Sequence, residues 1–230
     1  MTARSKPMVI LGLETSTELC SVGLLSGGEI HVQTINEPRQ HTQRIMQMID
    51  DVLAVRGVSM DRVEGVTFGR GPGSFTGVRI AIALSQGLAK GLQVPALGVS
   101  SLRVIAQNAM TKVSAPRFHV AQDARLGEVY QGRFTRDVEG IAQVLEADSL
   151  ADPESIVLRD GDFALGNAWT ALPSLKDRYA DLRDLSNIRA DAKGLIELAA
   201  VAPAADWENP DSARAAYLRN DVASKPKKPV

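Results

Sequence analysis

Residues 66–100, VTFGRGPGSFTGVRIAIALSQGLAKGLQVPALGVS, read as a buried strand, a glycine-rich turn, a helix and a short second strand. Val63, Val66 and Phe68 are strand formers, whereas Gly69, Gly71, Pro72 and Gly73 end any regular element, so the chain must turn there. Ser74 stands where a helix cap is needed. The helix that follows, Phe75 to Lys90, shows two apolar faces when its residues are laid out at about 100° per position. Ile80, Leu84 and Leu88 lie together with Gly77, while Phe75, Val78, Ile82 and Ala89 lie roughly opposite, with polarity only at Arg79, Ser85 and Gln86. A surface helix needs one apolar stripe, so two faces predict burial on two sides. The first cover is its own sheet; the second is either the rest of this chain or another protein. Gly91 and Val94-Pro95 close the unit.

The glycine turn invites a phosphate-loop reading, which fails on its details. No lysine follows Gly73, where a Walker loop would place an ammonium against the phosphates. A dinucleotide fingerprint would need a third glycine at position 74, which is Ser, and Pro72 removes a backbone donor. What remains is a structural turn, or an anion held by the free amides at the helix start.

Composition narrows the classes further. At 230 residues the chain is long enough to bury a substantial core, as one domain or as two lobes. A net charge of −1 offers no general attraction to nucleic acid or to an anionic membrane, so any grip on RNA would fall mainly to a partner. The single cysteine, Cys20, cannot form an internal disulfide, which fits a reducing cytosol. Residues 1–14 hold no long apolar segment, so neither secretion nor membrane spanning is expected, and the expected location is cytoplasmic.

Outward from the central stretch, Met8 to Leu13, Cys20 to Leu25 and Glu29 to Ile35 read as a three-stranded meander with a tight turn at Gly27-Gly28. Its first corner carries Glu14, Thr15 and Ser16. After Pro38 the spacing becomes helical, 41–56, with Ile45, Met48, Ile49, Val52 and Leu53 on one side and Met46 and Val55 widening the arc. His41 lacks a second imidazole one turn on and reads as a surface or capping residue, not a metal ligand. A helix from Ser100 or Ser101 to Met110 leads to a second strand, corner and strand: Phe118 to Gln122, Asp123 to Gly127, Glu128 to Phe134, with Ile141 to Leu145 as a third strand. Glu14 and Asp123 thus hold matching corners in two matching units. Phe163 to Leu165 reads as a short strand, Trp169 to Leu175 as a turn of helix, and Asp191 as the cap of a helix ending before Pro203. Ala216 to Arg219 reads as extended, and the basic, proline-bearing end, 221–230, as a disordered tail.

Two meander-plus-helix units with acidic first corners resemble the actin/Hsp70/sugar-kinase architecture. Within it, His41-Thr42-Gln43-Arg44-Ile45, the block GRGPGSFTGVR from Gly69 to Arg79, Gln86-Gly87-Leu88-Ala89, Gly98-Val99-Ser100, Asp123-Ala124-Arg125, Gly127-Glu128-Val129-Tyr130 and Tyr217-Leu218-Arg219-Asn220 resemble the bacterial TsaB (YeaZ) family. The resemblance implies an α/β, two-lobed, actin-like (ribonuclease H-like) fold, with a mixed sheet flanked by helices in each lobe. It implies lobes at 1–100 and 101–220, the final helix packing back on the first lobe. It also implies a non-catalytic scaffold needed to make N6-threonylcarbamoyladenosine at position 37 of tRNAs reading ANN codons. The chemistry would belong to a TsaD-type paralogue, bound as a heterodimer, with a TsaE-type ATPase joining, tRNA met indirectly through the complex, and a homodimer in isolation. The contact would use helices 41–56 and 75–90, giving His41, Ile45, Met48, Ile49, Val52, Ser74, Phe75, Val78, Arg79, Ile82 and Gln86 as interface candidates. Glu14, Thr15, Ser16 and Asp123 would mark a vestigial nucleotide cleft. No metal is expected and no cofactor required; weak ATP or ADP with magnesium, at the cleft or the subunit interface, is the one cofactor the resemblance leaves room for. Glu14 departs from the family's usual aspartate, which weakens that prospect, since a longer carboxylate displaces the coordinating oxygens. An ATPase or small-molecule kinase of the actin-like class is the alternative. A peptidase is disfavoured, because His31, His41 and His119 lack metal-ligand spacing.

Overall fold

The computed structural model of the chain describes residues 8–37, 41–179 and 187–219. Its first sheet has five strands: β1 (Ile10–Glu14), β2 (Cys20–Ser26), β3 (Glu29–Ile35), β4 (Gly65–Gly69) and β5 (Ala96–Val99), in the order β3-β2-β1-β4-β5. β1 runs antiparallel to β2 and parallel to β4, so the sheet is mixed. Ser26 pairs with Glu29 around Gly27 and Gly28, whose φ values of 61° and 81° are those a two-residue hairpin demands of glycine.

One face of this sheet is covered by α1 (His41–Val55) and α2 (Phe75–Leu92), which bury Ile45, Ile49, Val52, Val78 and Ala81 against Leu11, Leu13, Val22 and Phe68. The other face receives a helix from near the chain's end. There Gly12 and Gly23 leave room for Ile196: a Cβ on either would stand 2.7 or 2.8 Å from that side chain.

The second sheet, β6 (Arg117–Asp123), β7 (Val129–Arg136), β8 (Ala142–Ala151) and β9 (Asp162–Leu165), has the order β8-β7-β6-β9 and is also mixed. α3 (Ser101–Met110) packs on its inner face, while α4 (Ala168–Ala171) and α5 (Pro173–Arg178) cover the outer one through Trp169 and Leu175. α6 (Ala192–Val201), capped by Asp191 accepting from the amides of Lys193 and Gly194, is the helix that lies on the first sheet, side by side with α3. Two helices are therefore sandwiched between two sheets, with further helices outside each, which is the actin-like arrangement. Their shared core takes Ile10 and Val99 from the first sheet, Phe118 and Phe134 from the second, and Ile105, Leu195 and Leu198 from α3 and α6.

Several boundaries differ from those expected. α2 passes through Gly91 and stops at Gln93, whose left-handed backbone (φ 58°) lets its amide reach the Ala89 and Lys90 carbonyls. The expected turn at Trp169 to Leu175 is two short helices, split where Pro173 forces Leu172 into extended backbone. β8 runs six residues past the Leu145 limit expected, to Ala151. The expected tail, 221–230, lies outside the described residues. No helix among the described residues is long and apolar enough to cross a membrane.

Candidate functional site

The corners after β1, β4 and β6 converge on a cleft between the sheets, a cavity of about 670 Å³. Ser16 and Thr17 contribute from the first corner, Gly71 to Ser74 from the glycine turn, and Gln122 to Leu126 from the opposing corner. The last described segment closes one side as a strap. Glu208 makes two 2.9 Å backbone bonds with Ala96 at the edge of β5; Gln86 then donates to the carbonyls of Pro210 and Ala213, and the Ala216 amide donates to the Arg70 carbonyl. Arg219 ends the strap in the second corner, donating to the Ala124 and Arg125 carbonyls and pairing with Glu128.

The carboxylates marked by the sequence part company here. Glu14 is fully buried beneath the cleft floor, accepting 2.7 Å from the Ser16 amide and 3.3 Å from the Ser101 hydroxyl. Gly69 supplies its room, since a Cβ there would fall 2.0 Å from a Glu14 carboxylate oxygen. Burial raises the Glu14 carboxyl above the ordinary value, outweighing the hydrogen bonds from Ser16 and Ser101 that favour the charge. Thr15 is also buried and donates to the Gly77 carbonyl at 2.7 Å. Asp123 does line the cleft, but its carboxylate is engaged by its own corner, accepting from the Arg125 amide at 2.8 Å and pairing with the Arg125 guanidinium at 3.1 Å. Magnesium wants several unencumbered, ionised oxygens around it. A protonation-prone Glu14 turned under the floor and an Asp123 tied to arginine do not fit it.

α2 keeps the two expected faces except at its start. Val78 and Ile82 are 7% and 9% exposed and point into the sheet, whereas Phe75 is 64% exposed at the helix start. Ser74 caps that start, accepting from the Gly77 amide at 3.3 Å, and the Arg79 guanidinium lies over the Phe75 ring at 3.3 Å. The outer face sets the exposed Ala83 and Gly87 among Ile80, Leu84 and Leu88, which are half-buried and also pack against the core of the first sheet, and Cβ atoms added at Gly87 or Gly91 would meet nothing within 4 Å.

A protein from Escherichia coli (strain K12), named tRNA threonylcarbamoyladenosine biosynthesis protein TsaB, is 40% identical over 225 residues, covering 95% of this chain and 97% of that one. The chain belongs to the TsaB family. A like-named protein of Haemophilus influenzae is 36% identical over 84% of this chain and 86% of its own. The family model described as TsaD: tRNA N6-adenosine threonylcarbamoyltransferase matches residues 33–158. Two solved structures from Pseudomonas aeruginosa superpose well. One, described as an uncharacterized protein with similarity to peptidase YeaZ, has a TM-score of 0.83 at 35% identity, covering 92% of this chain and 99% of that one. The other, YeaZ, has a TM-score of 0.81 at 35% identity, covering 91% and 99%.

For this TsaB-family chain the fold sorts the interface candidates into two groups. Ile45, Met48, Ile49 and Val52 face their own sheet at 0–1% exposure, as Val78 and Ile82 do, because a helix beside a sheet must spend its apolar arc on that sheet. They are core, a correction to the reading that gave them to a partner. Ser74, Phe75 and Arg79 are exposed, while Gln86 is committed to the strap. α1 offers Met46 and Val55 to solvent; the His41 side chain lies outside the described residues. The sequence reading did not count Ala83 and Gly87, whose four-residue spacing was the available signal, among the interface candidates, and it quoted Tyr217 and Arg219 only for the family resemblance, not as residues of the cleft they line.

Proposed function

We propose that this chain is the non-catalytic dimerisation subunit for making N6-threonylcarbamoyladenosine at position 37 of tRNAs that read ANN codons. It binds and activates a TsaD-type catalytic paralogue and allows a TsaE-type ATPase to join, requiring no cofactor of its own and working in the cytoplasm. Its two halves act as lobes, 1–100 and 101–220, with the partner contact on the first and a homodimer formed when the partner is missing. The observation that carries this reading is near full-length similarity to proteins named for that biosynthesis, in a chain whose α2 keeps a partly exposed apolar face. Ala83 and Gly87 suit that contact because small side chains let a second helix approach closely, and the flanking Ile80, Leu84 and Leu88 gain burial when it does. The engaged Glu14 and Asp123 speak against a magnesium-dependent kinase.

The test is formation of the modified nucleoside on unmodified tRNA by the TsaD-type and TsaE-type proteins with the threonylcarbamoyl-adenylate synthase, ATP, threonine and bicarbonate. Modification is expected to require this chain and to fail with Ala83→Arg, which places a charge on the open face yet leaves the core intact. Full activity without the chain, or with Ala83→Arg, would refute the reading.

A further inference from the structure

The corner between β6 and β7 is held in a shape its own residues do not favour. Arg125, Leu126 and Gly127 have φ values of 64°, 56° and 77°, three left-handed residues in succession, of which only the last is glycine. In a non-glycine residue that backbone crowds Cβ against the following carbonyl, and it persists only where the surroundings impose it. Side-chain packing does not impose it here, since Leu126 is 85% exposed and the Arg125 side chain 84%. Hydrogen bonds do. The Asp123 carboxylate accepts from the Arg125 amide at 2.8 Å, and the Arg219 guanidinium donates to the Ala124 and Arg125 carbonyls at 3.2 and 3.3 Å while pairing with Glu128.

Arg219 reaches this corner from the other sheet. It ends the strap, whose other anchors lie on the first sheet and on α2: the backbone pair of Glu208 with Ala96, the two bonds from Gln86, and the Ala216 amide on the Arg70 carbonyl. Ala213 is 8% exposed and sits in the core that α2 shares with the first sheet. From there residues 213–219 cross to the second sheet with no helix or strand of their own. Along α2 the strap follows Arg79, Gln86 and Lys90, a single stripe of the helix that runs directly beside Ala83 on the outer face.

From this geometry we infer that the strap is a latch between the two sheets: its seat on α2 places Arg219, and Arg219 keeps the second corner left-handed. With the strap seated the corner is held. With the strap lifted, Arg219 withdraws, and Arg125 and Leu126 relax to right-handed or extended backbone. A contact that braces or displaces the strap along its stripe of α2 is therefore transmitted to the far sheet. The latch lies within this chain and stands whether or not α2 takes the partner proposed above.

Hydrogen exchange of the full-length chain, read by mass spectrometry on peptides covering 123–129 and 208–219, tests it. The amides of Ala124, Arg125 and Glu128 are hydrogen-bonded within the corner and report its held state. Gln86→Ala, remote from the corner, is expected to speed exchange in both peptides, at the corner about fivefold or more. Ala213→Asp, which puts a charge into the core that seats the strap, lifts it a second way. Arg219→Lys keeps the charge but loses the planar fork, and is expected to speed the corner. Leu126→Gly, left-handed at no steric cost, is expected to slow the corner again when added to Gln86→Ala. Val52→Ala weakens the core of the first sheet without touching the strap and is expected to leave the corner's rate unchanged. The inference is overturned if neither Gln86→Ala nor Ala213→Asp speeds the strap, or if either speeds the strap and leaves the corner protected. It is equally overturned if Arg219→Lys leaves the corner protected, if Leu126→Gly fails to slow it, or if Val52→Ala speeds it as much as Gln86→Ala does.

Discussion

Gly77→Ala and Gly87→Ala make the same change in the same helix and are expected to move stability in opposite directions. In a helix interior Ala is favoured over Gly by up to about 1 kcal/mol. Gly87 has open space around it, so that preference is free to act and the variant gains about 0.5–1 kcal/mol. At Gly77 the added Cβ would stand 1.8 Å from the Thr15 carbonyl oxygen, far inside contact distance. That oxygen belongs to the backbone directly after β1, so no flexible side-chain tip can give way. Overpacking typically costs about 1–3 kcal/mol. Pushing α2 from Thr15 also breaks the 2.7 Å bond from the Thr15 hydroxyl to the Gly77 carbonyl, a further loss of about 1 kcal/mol. Overpacking and the lost bond together exceed the helix preference, leaving Gly77→Ala less stable by about 2 kcal/mol and its Tm lower by about 4–8 °C. Urea titration and thermal melts of the two variants beside the unaltered chain decide the matter. If Gly77→Ala matched Gly87→Ala in either assay, the close approach of α2 to the Thr15 backbone would be wrong.

Three further expectations rest on particular contacts. Because burial raises the Glu14 carboxyl, ionising it opposes folding; the unaltered chain therefore loses stability relative to Glu14→Gln as pH rises from 4.5 through the raised value, and urea midpoints at pH 4.5 and 8 that moved in parallel would contradict this. His119, packed edge-on to Trp169 and hydrogen-bonded to Gln131, is pushed down to about 4 by burial and then by Arg133. Its neutral form contributes stability that is complete above pH 6.5 and lost towards pH 4, by up to about 3 kcal/mol. His119→Leu should flatten that part of the stability profile, and an unchanged slope would place the acid sensitivity elsewhere. Gln86→Ala removes both hydrogen bonds to the strap and should speed proteolytic cleavage near Asn209 to Ala213, whereas Lys90→Ala, which breaks only an exposed pair with Asp211, should shift stability by less than about 1 kcal/mol; equal cleavage rates would show that Gln86 does not hold the strap.

Much of the architecture was legible because it is written in short-range pattern. The Gly27-Gly28 hairpin, the Ser74 and Asp191 caps and the repeated acidic corner are local chemistry, and the structure keeps each of them. The orientation of helices was not legible. An apolar arc looks the same in sequence whether it covers the helix's own sheet or a neighbour, so Val78 and Ile82 were given to a partner although they are core, while Ile80 and Leu84 on the outer side are half-buried. β8 was cut short because Gln143 to Ala147 are all exposed, leaving no alternation to follow. The strap showed only as an extended segment, since its backbone bonds reach Ala96 and Arg70, more than a hundred positions away. The matching corners at Glu14 and Asp123 suggested one shared site, and only side-chain positions reveal that one carboxylate is buried under the floor and the other tied to arginine.

The placement of α6 on the first sheet has a consequence for how the chain is made. All five strands of that sheet have been synthesised once Val99 is joined, and α1 and α2 can already cover one side. The other side, with Gly12 and Gly23 shaped around Ile196, stays bare until the ribosome has passed Val201. Throughout that interval the nascent chain carries an unfinished apolar surface, the circumstance in which chaperones engage a polypeptide.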